Sequence, residues 1–384
     1  MKLILHLGPA KTGSTSIQKT LHGYDDGETA FFTFGNLCSE INSPELNSSK
    51  PIRFIFDDIF FEDTIKKLGL SREDGIVLRE KFKNMLTEAL TRTDRNQTIV
   101  SGETIKKMWP SSIKGLKEYF DGIGCDVVVV YYYRQFLDKA KSLFQQRVKN
   151  TIFHVKDFKQ PESIQDDLRV WSSVFGKEAV LVRSFNKKHL KDECVVSDFL
   201  SLVGNRNDNL EISKDSNISM SLDALKIIYF LNQHIHTPNS EDSPPSVINK
   251  ARFNNKIMKS YKDSEKIDPS IFSGVLDDEA YENEWKFLLK RTTFQPERYI
   301  AYLKNNSNIK NKLTKLIHPI TIGFKRIILH KKLISLKNID FSPVDKLLEV
   351  NGFNETEITN FSKKDKVIKL YNSYYPSKES LSVQ

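Results

Sequence analysis

The chain has 384 residues, 39% of them hydrophobic and 11% aromatic, which is enough to bury a sizeable core and too apolar for a disordered chain. Its 58 Lys and Arg outnumber its 49 Asp and Glu, and the net charge of +9 favours an anionic ligand without choosing among nucleotide, nucleic acid, acidic glycan and lipid headgroup. Cys38, Cys125 and Cys194 are far apart and lack C-x-x-C spacing, which argues against a disulfide framework or a zinc site and for a reducing compartment.

Met1 and Lys2 lead straight into the apolar run Leu3 to Leu7, so neither signal peptide nor anchor is expected. No apolar run approaches the roughly 20 residues of a membrane span, and a cytoplasmic protein is the expectation. Leu3 to Leu7 reads as a strand stopped by Gly8-Pro9, and Ser14 to Leu21 as the helix after it. A second short strand is expected at Ala30 to Phe34. Ile76, Leu78, Phe82, Met85, Leu86 and Leu90 recur at near-helical spacing and predict a long amphipathic helix over Ser71 to Arg92.

Thr98 to Val100 reads as a strand running into Ser101-Gly102-Glu103, followed by a helix over Ile113 to Phe120. Val127 to Tyr133 (V-V-V-V-Y-Y-Y) is β-branched and aromatic throughout, as suits a strand inside a parallel sheet covered on both faces. Phe136 to Val148 predicts the next helix, and Ala179 to Val182 another buried strand. Strands alternating with helices predict a three-layer α/β/α fold around a central parallel sheet, of the kind found in P-loop NTPases. Ligand sites in such folds lie at the carboxyl ends of the strands, which places Gly8, Glu103, Arg134 and Arg183 on one edge.

After about His236 the pattern becomes irregular, beginning with the Ser/Pro-rich stretch Ser240 to Ser246. The expected division is an α/β core over 1–236 and a mostly helical extension over 237–384. From Lys310 to Lys337 the chain carries Lys310, Lys312, Lys315, Lys325, Arg326, Lys331, Lys332 and Lys337 with no acidic residue, interleaved with aliphatic side chains.

Gly8-Pro9-Ala10-Lys11-Thr12-Gly13-Ser14-Thr15 has the length and glycine placement of a phosphate-binding loop, between a strand and a helix. Successive N–H groups at a helix start form a nest for phosphate oxygens, and glycine lets the backbone approach them. In a nucleotide triphosphatase the lysine stands just before the Ser/Thr and reaches the β- and γ-phosphates. Here Ser14 holds that place, and the lysine stands three residues earlier at Lys11.

This displaced lysine resembles the 5′-phosphosulfate loop of sulfotransferases that use 3′-phosphoadenosine 5′-phosphosulfate (PAPS), P-K-[ST]-G-[ST]-T or a close variant; this chain has A-K-T-G-S-T. In that family a later strand ends in an arginine with a serine eight residues on, and the pair holds the 3′-phosphate that distinguishes PAPS from ATP. Here Arg134 closes V-V-V-V-Y-Y-Y and Ser142 follows eight positions later. Arginine suits that task because its planar fork donates two hydrogen bonds and keeps its charge. The likeness is to bacterial sulfotransferases that act on glycans. It continues through Trp171, Val174-Phe175-Gly176, Val182-Arg183-Ser184-Phe185, Asp198-Phe199-Leu200 and Asn217-Ile218-Ser219, and so covers roughly Met1 to Asn232.

The resemblance implies PAPS as donor, with Lys11, Thr12, Gly13, Ser14, Thr15 and Ser16 around the phosphosulfate and Arg134 and Ser142 on the 3′-phosphate. Arg183 stands where related enzymes place residues near the adenine or the acceptor, though a structural role at a strand end fits equally. Ser16 occupies the position where many cytosolic members carry a tryptophan against adenine, and the family's C-terminal glycine-rich segment has no recognisable counterpart.

Sulfuryl transfer needs positioning and charge stabilisation, by analogy with phosphoryl transfer, and the smaller charge on the sulfuryl group leaves no need for a metal. Lys11 is the expected stabiliser of the leaving oxygen. Glu103 is the first candidate for the base that takes the acceptor's proton, because it follows the strand before the Arg134 strand, where other sulfotransferases carry a catalytic His. Glu40 and His6 are the alternatives. A carbohydrate or glycolipid acceptor is implied by the family alone.

A competing reading is a kinase or NTPase using ATP and magnesium, with Phe54-Ile55-Phe56 as a strand ending in a metal-binding Asp57 or Asp58. Nucleic acid is not an expected partner, since the basic tail has few aromatics for stacking on bases. Residues 310–337 suit an anionic membrane surface instead, which would make the protein peripheral at the inner membrane.

Overall fold

The structure is a computed structural model that describes residues 1–150, 154–159, 161–204, 210, 212, 220–234, 244–272, 283–284, 287 and 314–374. The resemblance segment at Asn217 to Ser219, most of the Ser/Pro-rich stretch, and Lys310 and Lys312 lie outside those residues.

The chain divides into two compact units that interleave along the sequence. The first comprises Met1–Gln135, Glu162–Asp215 and Ala280–Ala301, and the second Phe136–Pro161, Ser216–Glu279 and Tyr302–Gln384. The first unit holds a five-stranded, wholly parallel sheet of β1 (Lys2–Leu7), β2 (Thr29–Phe31), β3 (Gln97–Gly102), β4 (Asp126–Tyr133) and β5 (Val180–Ser184), in the order β2-β3-β1-β4-β5. Its helices are α1 (Ser14–Leu21), α2 (Ser49–Phe56), α3 (Asp58–Leu68), α4 (Arg72–Thr91), α5 (Pro110–Gly122), α7 (Ile164–Phe175) and α8 (Val195–Leu202), while α6 (Phe136–Asn150) belongs to the second unit.

Strand alternation builds a core on each face of the sheet. Leu3, Leu5, Leu7, Val129, Tyr131 and Tyr133 pack against Ile52, Phe54, Phe82, Phe120 and Trp171 from α2, α4, α5 and α7. On the other face Ile4, Ile99, Val130 and Tyr132 meet Ile17 and Leu21 of α1 and Val196 and Phe199 of α8. The sheet is therefore the middle of three layers.

The expected β1, α1, β3, β4 and β5 all form, and the long amphipathic stretch is α4, started by Ser71, whose hydroxyl accepts from the Asp74 N–H at 3.0 Å. Strand β2 is shorter than Ala30 to Phe34. Phe32 still donates to the Ile99 carbonyl at 2.9 Å, but Gly35, at φ 51, then turns the chain into a 3₁₀ segment over Gly35–Ile41. The strand read at Phe54 to Phe56 is overturned, because these residues are the last turn of α2. Asp57 is the buried N-cap of α3, accepting from the Phe60 N–H at 3.2 Å and from Arg53 at 3.0 Å, so its carboxylate is committed to structure.

The second unit, among its described residues, is helical. With α6 it contains α9 (Leu222–His234), α10 (Pro244–Ser260), α11 (Thr314–Ile334), α12 (Ser342–Val350), α13 (Glu355–Asn360) and α14 (Lys363–Ser373). The boundary expected near residue 236 falls inside this unit, because α6 and α9 pack together. Gln145 of α6 donates to the Met220 carbonyl at 3.2 Å just before α9, and Asn232 of α9 to the Val148 carbonyl at 2.8 Å.

Candidate nucleotide site

Parallel pairing fixes the geometry of the candidate site before any side chain is considered. Leu7 pairs with Gly102 on one side and Tyr131 on the other, so β1 lies between β3 and β4 with the same polarity. The glycine loop after β1, Glu103 just past β3, and Arg134 just past β4 therefore emerge from one edge of one sheet. Arg183 pairs with Tyr132 near the end of β5, on the same edge.

The loop holds its shape through its own hydroxyls. Thr12, 1% exposed, donates its Oγ1 to the Pro9 carbonyl at 2.6 Å, and Ser14, equally buried, donates to the Gly8 carbonyl at 3.4 Å. Their side chains thus brace the loop from behind; the Thr12 N–H also donates to the Pro9 carbonyl, at 3.3 Å, so of these two residues it is Ser14 that can offer an anion its main-chain N–H. Thr15 is exposed, and Lys11 and Ser16 are half-buried. Gly13 caps α1 at φ 79 with no side-chain hydrogen bond, so the first-turn amides of α1 are not closed off by a capping side chain.

Both glycines are required by space. A Cβ on Gly8 would stand 2.6 Å from the Ser14 hydroxyl, and one on Gly13 would stand 2.8 Å from both Phe185 and Val195. A loop this tightly backed, with an uncapped helix start and a cation at Lys11, has the features of an anion-binding turn.

Arg134 reaches the loop directly. Its Nη1 donates to the Lys11 carbonyl at 3.1 Å, and its guanidinium lies 5.6 Å from the centre of the Phe185 ring, which also backs Gly13. Lys11 itself has a left-handed backbone, φ 70. Ser142, the other residue expected at a 3′-phosphate, is half-buried on α6 in the second unit.

Arg183 is bound to Asp198. Its Nη2 donates to Oδ1 of that 1%-exposed carboxylate at 2.8 Å, and the Tyr132 hydroxyl donates to Oδ2 at 2.6 Å. The Asp198 hydrogen bond holds the guanidinium above its ordinary pKa, and burial, with that same carboxylate, pushes the Tyr132 phenol up. Arg183 therefore neutralises a buried acid at the sheet edge, whatever else its partly exposed face contacts. No periodicity marks Asp198 as this partner, because the pair forms only when α8 folds back on β5.

Among the three base candidates, His6 is sealed in. It is fully buried, its Nδ1 shares a 2.8 Å hydrogen bond with the Ser101 hydroxyl, and Gln18 donates to the same oxygen at 3.1 Å. Burial lowers the His6 pKa to about 3, so the ring is neutral in ordinary buffers. Its Nε2 has no hydrogen-bond partner among the described residues. Glu40 is exposed in the 3₁₀ segment after β2.

Glu103 is half-exposed, directly beyond β3, and makes no hydrogen bond or ion pair with a described residue. Its neighbours are fixed: Ser48 donates to the Ser101 carbonyl at 2.9 Å, the Thr104 N–H donates to the Ser49 hydroxyl at 2.9 Å, and Gly102 has no room for a Cβ beside Ile105.

Sequence reasoning missed two features of this edge. Lys106 is 6% exposed at its side chain and pairs with Asp167 at 2.5 Å, and the Tyr131 hydroxyl donates to the same carboxylate at 3.3 Å. Trp109, 57% exposed, stands in the connection from β3 to α5. Among the described residues there is no cluster of three or more His, Cys, Asp or Glu side chains placed to hold a metal, and no helix long and apolar enough to cross a membrane. No family model, no curated protein and no solved structure matches the chain.

Proposed function

We propose that the protein is a PAPS-dependent sulfotransferase that passes a sulfuryl group to a hydroxyl of a carbohydrate, with a surface polysaccharide or glycolipid precursor made in the cytoplasm as the acceptor. The observation that carries this reading is the meeting of Arg134 with the Lys11 loop at 3.1 Å, from adjacent strands of one sheet. Two cations at one edge, one in a glycine loop and one at a strand end, suit a nucleotide phosphorylated at two separate positions.

In this reading the donor supplies an activated sulfur–oxygen bond, and the chain's residues orient it and manage charge and proton. The main-chain amides from Gly13 to Thr15 at the start of α1 hold the 5′ phosphate, and Lys11 balances the negative charge that gathers on the oxygen released from sulfur. Arg134 holds the 3′-phosphate, which separates PAPS from ATP. Arg183 borders the adenine or the acceptor while bound to Asp198. Glu103 accepts the acceptor's hydroxyl proton as the new oxygen–sulfur bond forms and the old one breaks. A kinase reading has lost its metal-binding strand, since Asp57 caps α3.

Radiolabelled PAPS incubated with a panel of oligosaccharides tests this directly. Label should appear in a sugar product with the wild type. Glu103→Gln is expected to bind adenosine 3′,5′-bisphosphate as the wild type does but to lose at least a hundredfold in turnover, the usual contribution of a positioned base. Wild-type turnover by Glu103→Gln would remove it from the mechanism.

A further inference from the structure

We propose that the second unit docks on an anionic bilayer surface, using the outward face of α11 and the basic cavity at that helix's end. This inference concerns a surface separate from the nucleotide edge and does not depend on the sulfuryl-transfer reading.

At 3.6 residues per turn, α11 divides into two arcs. On the inward arc Leu329 and Leu333 are buried, His330 shares a 2.7 Å hydrogen bond with the Tyr229 hydroxyl, and Arg326 donates to the Phe158 carbonyl at 2.9 Å. The outward arc presents Lys325, Ile327, Ile328, Lys331 and Lys332, all exposed. Ile327 and Ile328 are 53% and 51% exposed, although this helix has a buried side that could have taken them. Two neighbouring isoleucines left in water between lysines are unfavourable for a surface that meets only solvent, by roughly 25 cal/mol per Å2 of apolar area.

Past α11 the chain enters a cavity of about 490 Å3. Its lining includes the apolar Phe230, Ile334 and Leu336 and the exposed Lys337, Lys363 and Lys364. Lys363 is held in place by the Ile339 carbonyl and the Phe341 ring, 5.0 Å away. The nearby Asp365 is turned into the cap of α14, accepting from Ser362, rather than pairing with those lysines. Lys325, Lys331, Lys332, Lys337 and Lys364 form no ion pair with a described residue, and no acidic residue occurs from Lys310 to Lys337.

Charge and shape therefore select the occupant. Lysines flanking exposed aliphatic side chains match a surface with anionic headgroups outside and hydrocarbon beneath, and a nucleic acid would gain nothing from Ile327 and Ile328.

Sedimentation of the full chain with vesicles of phosphatidylcholine, alone or mixed with phosphatidylglycerol, tests the proposal. Binding to the mixed vesicles only is expected, weakening as salt shortens the screening length. Lys331→Gln with Lys332→Gln should lower the partition coefficient about thirtyfold, at ~1 kcal/mol per lysine near such a surface. Ile327→Ser with Ile328→Ser should weaken binding to the mixed vesicles without changing its salt dependence, and Lys337→Gln with Lys364→Gln should weaken it at low salt. All six side chains are exposed, and unchanged circular dichroism and melting will show that each variant is folded. No binding to mixed vesicles, equal binding to neutral ones, or wild-type binding by the Lys331/Lys332 variant overturns the proposal. Displacement by inorganic phosphate at matched ionic strength would reassign the cavity to a free anion and likewise overturn it.

Discussion

The Arg134 guanidinium donates to the main-chain carbonyl of Lys11 at 3.1 Å, so the end of β4 grips the loop after β1 at a left-handed, non-glycine residue. A left-handed backbone costs an ordinary residue about 1–2 kcal/mol, and a hydrogen bond from a charged donor contributes about 1.5–3 kcal/mol. The two are of similar size, so the loop's conformation depends on Arg134 as well as on its own glycines.

Replacing Arg134 should therefore act twice. Arg134→Ala is expected to lower stability by about 1–2 kcal/mol and to weaken adenosine 3′,5′-bisphosphate binding at least a hundredfold. Arg134→Lys keeps the charge but loses the planar fork, and should recover less than a tenth of that affinity. Denaturant melts and calorimetry separate the two effects, and wild-type affinity in Arg134→Lys would show that the fork is not used.

Lys11 carries its charge on a strained backbone. Lys11→Gly should remove the cation and relieve the left-handed cost, leaving the protein as stable as the wild type or up to about 1 kcal/mol more so. Lys11→Ala keeps the strain. Both variants should fail in sulfuryl transfer, and a thermal midpoint higher for Lys11→Ala than for Lys11→Gly would contradict the strain argument.

Gly13→Ala places a methyl 2.8 Å from Phe185 and Val195 at φ 79. The expected cost is about 1–3 kcal/mol of stability, together with loss of nucleotide binding, because the loop must move away from α8. A folded Gly13→Ala variant that binds nucleotide normally would show that the loop adapts.

His6 should make stability depend on pH in acid. Its folded pKa, about 3, lies below the ordinary 6.5, so between those values the unfolded chain binds a proton that the folded protein does not. The stabilisation is complete above pH 6.5 and falls as pH drops towards 3, by about 1.4 kcal/mol per pH unit and about 5 kcal/mol at most. His6→Asn, which can keep the Ser101 hydrogen bond, should flatten that slope by one proton when urea melts are compared from pH 6 to 4. An unchanged slope would mean that His6 protonates freely in the folded state.

Much of the first unit was legible because its signals are local. The run of β-branched and aromatic residues at β4 can satisfy both faces only inside a covered sheet, and Gly8 and Gly13 bracket a loop whose ends are set by the strand and helix around it. The segment Phe54 to Asp58 misled because three apolar residues before an acid suit a short strand as well as the end of a helix. What decides is Arg53 reaching Asp57 one turn on, together with the core face that Phe54 shares with Phe61 and Phe82. The Arg183–Asp198 and Lys106–Asp167 pairs bring together residues 15 and 61 positions apart, and charges so common in a sequence carry no sign of which partner the fold will supply. The boundary near residue 236 tracked composition, whereas the units are set by helix packing that returns α6 to α9.

The nucleotide preference tests the central claim most directly. Calorimetric titration of the wild-type protein with adenosine 3′,5′-bisphosphate and with ADP should show at least tenfold tighter binding of the 3′-phosphorylated nucleotide, without magnesium, and loss of that preference in Arg134→Ala. Equal affinity for the two nucleotides, or tighter magnesium-dependent binding of ADP, would contradict it.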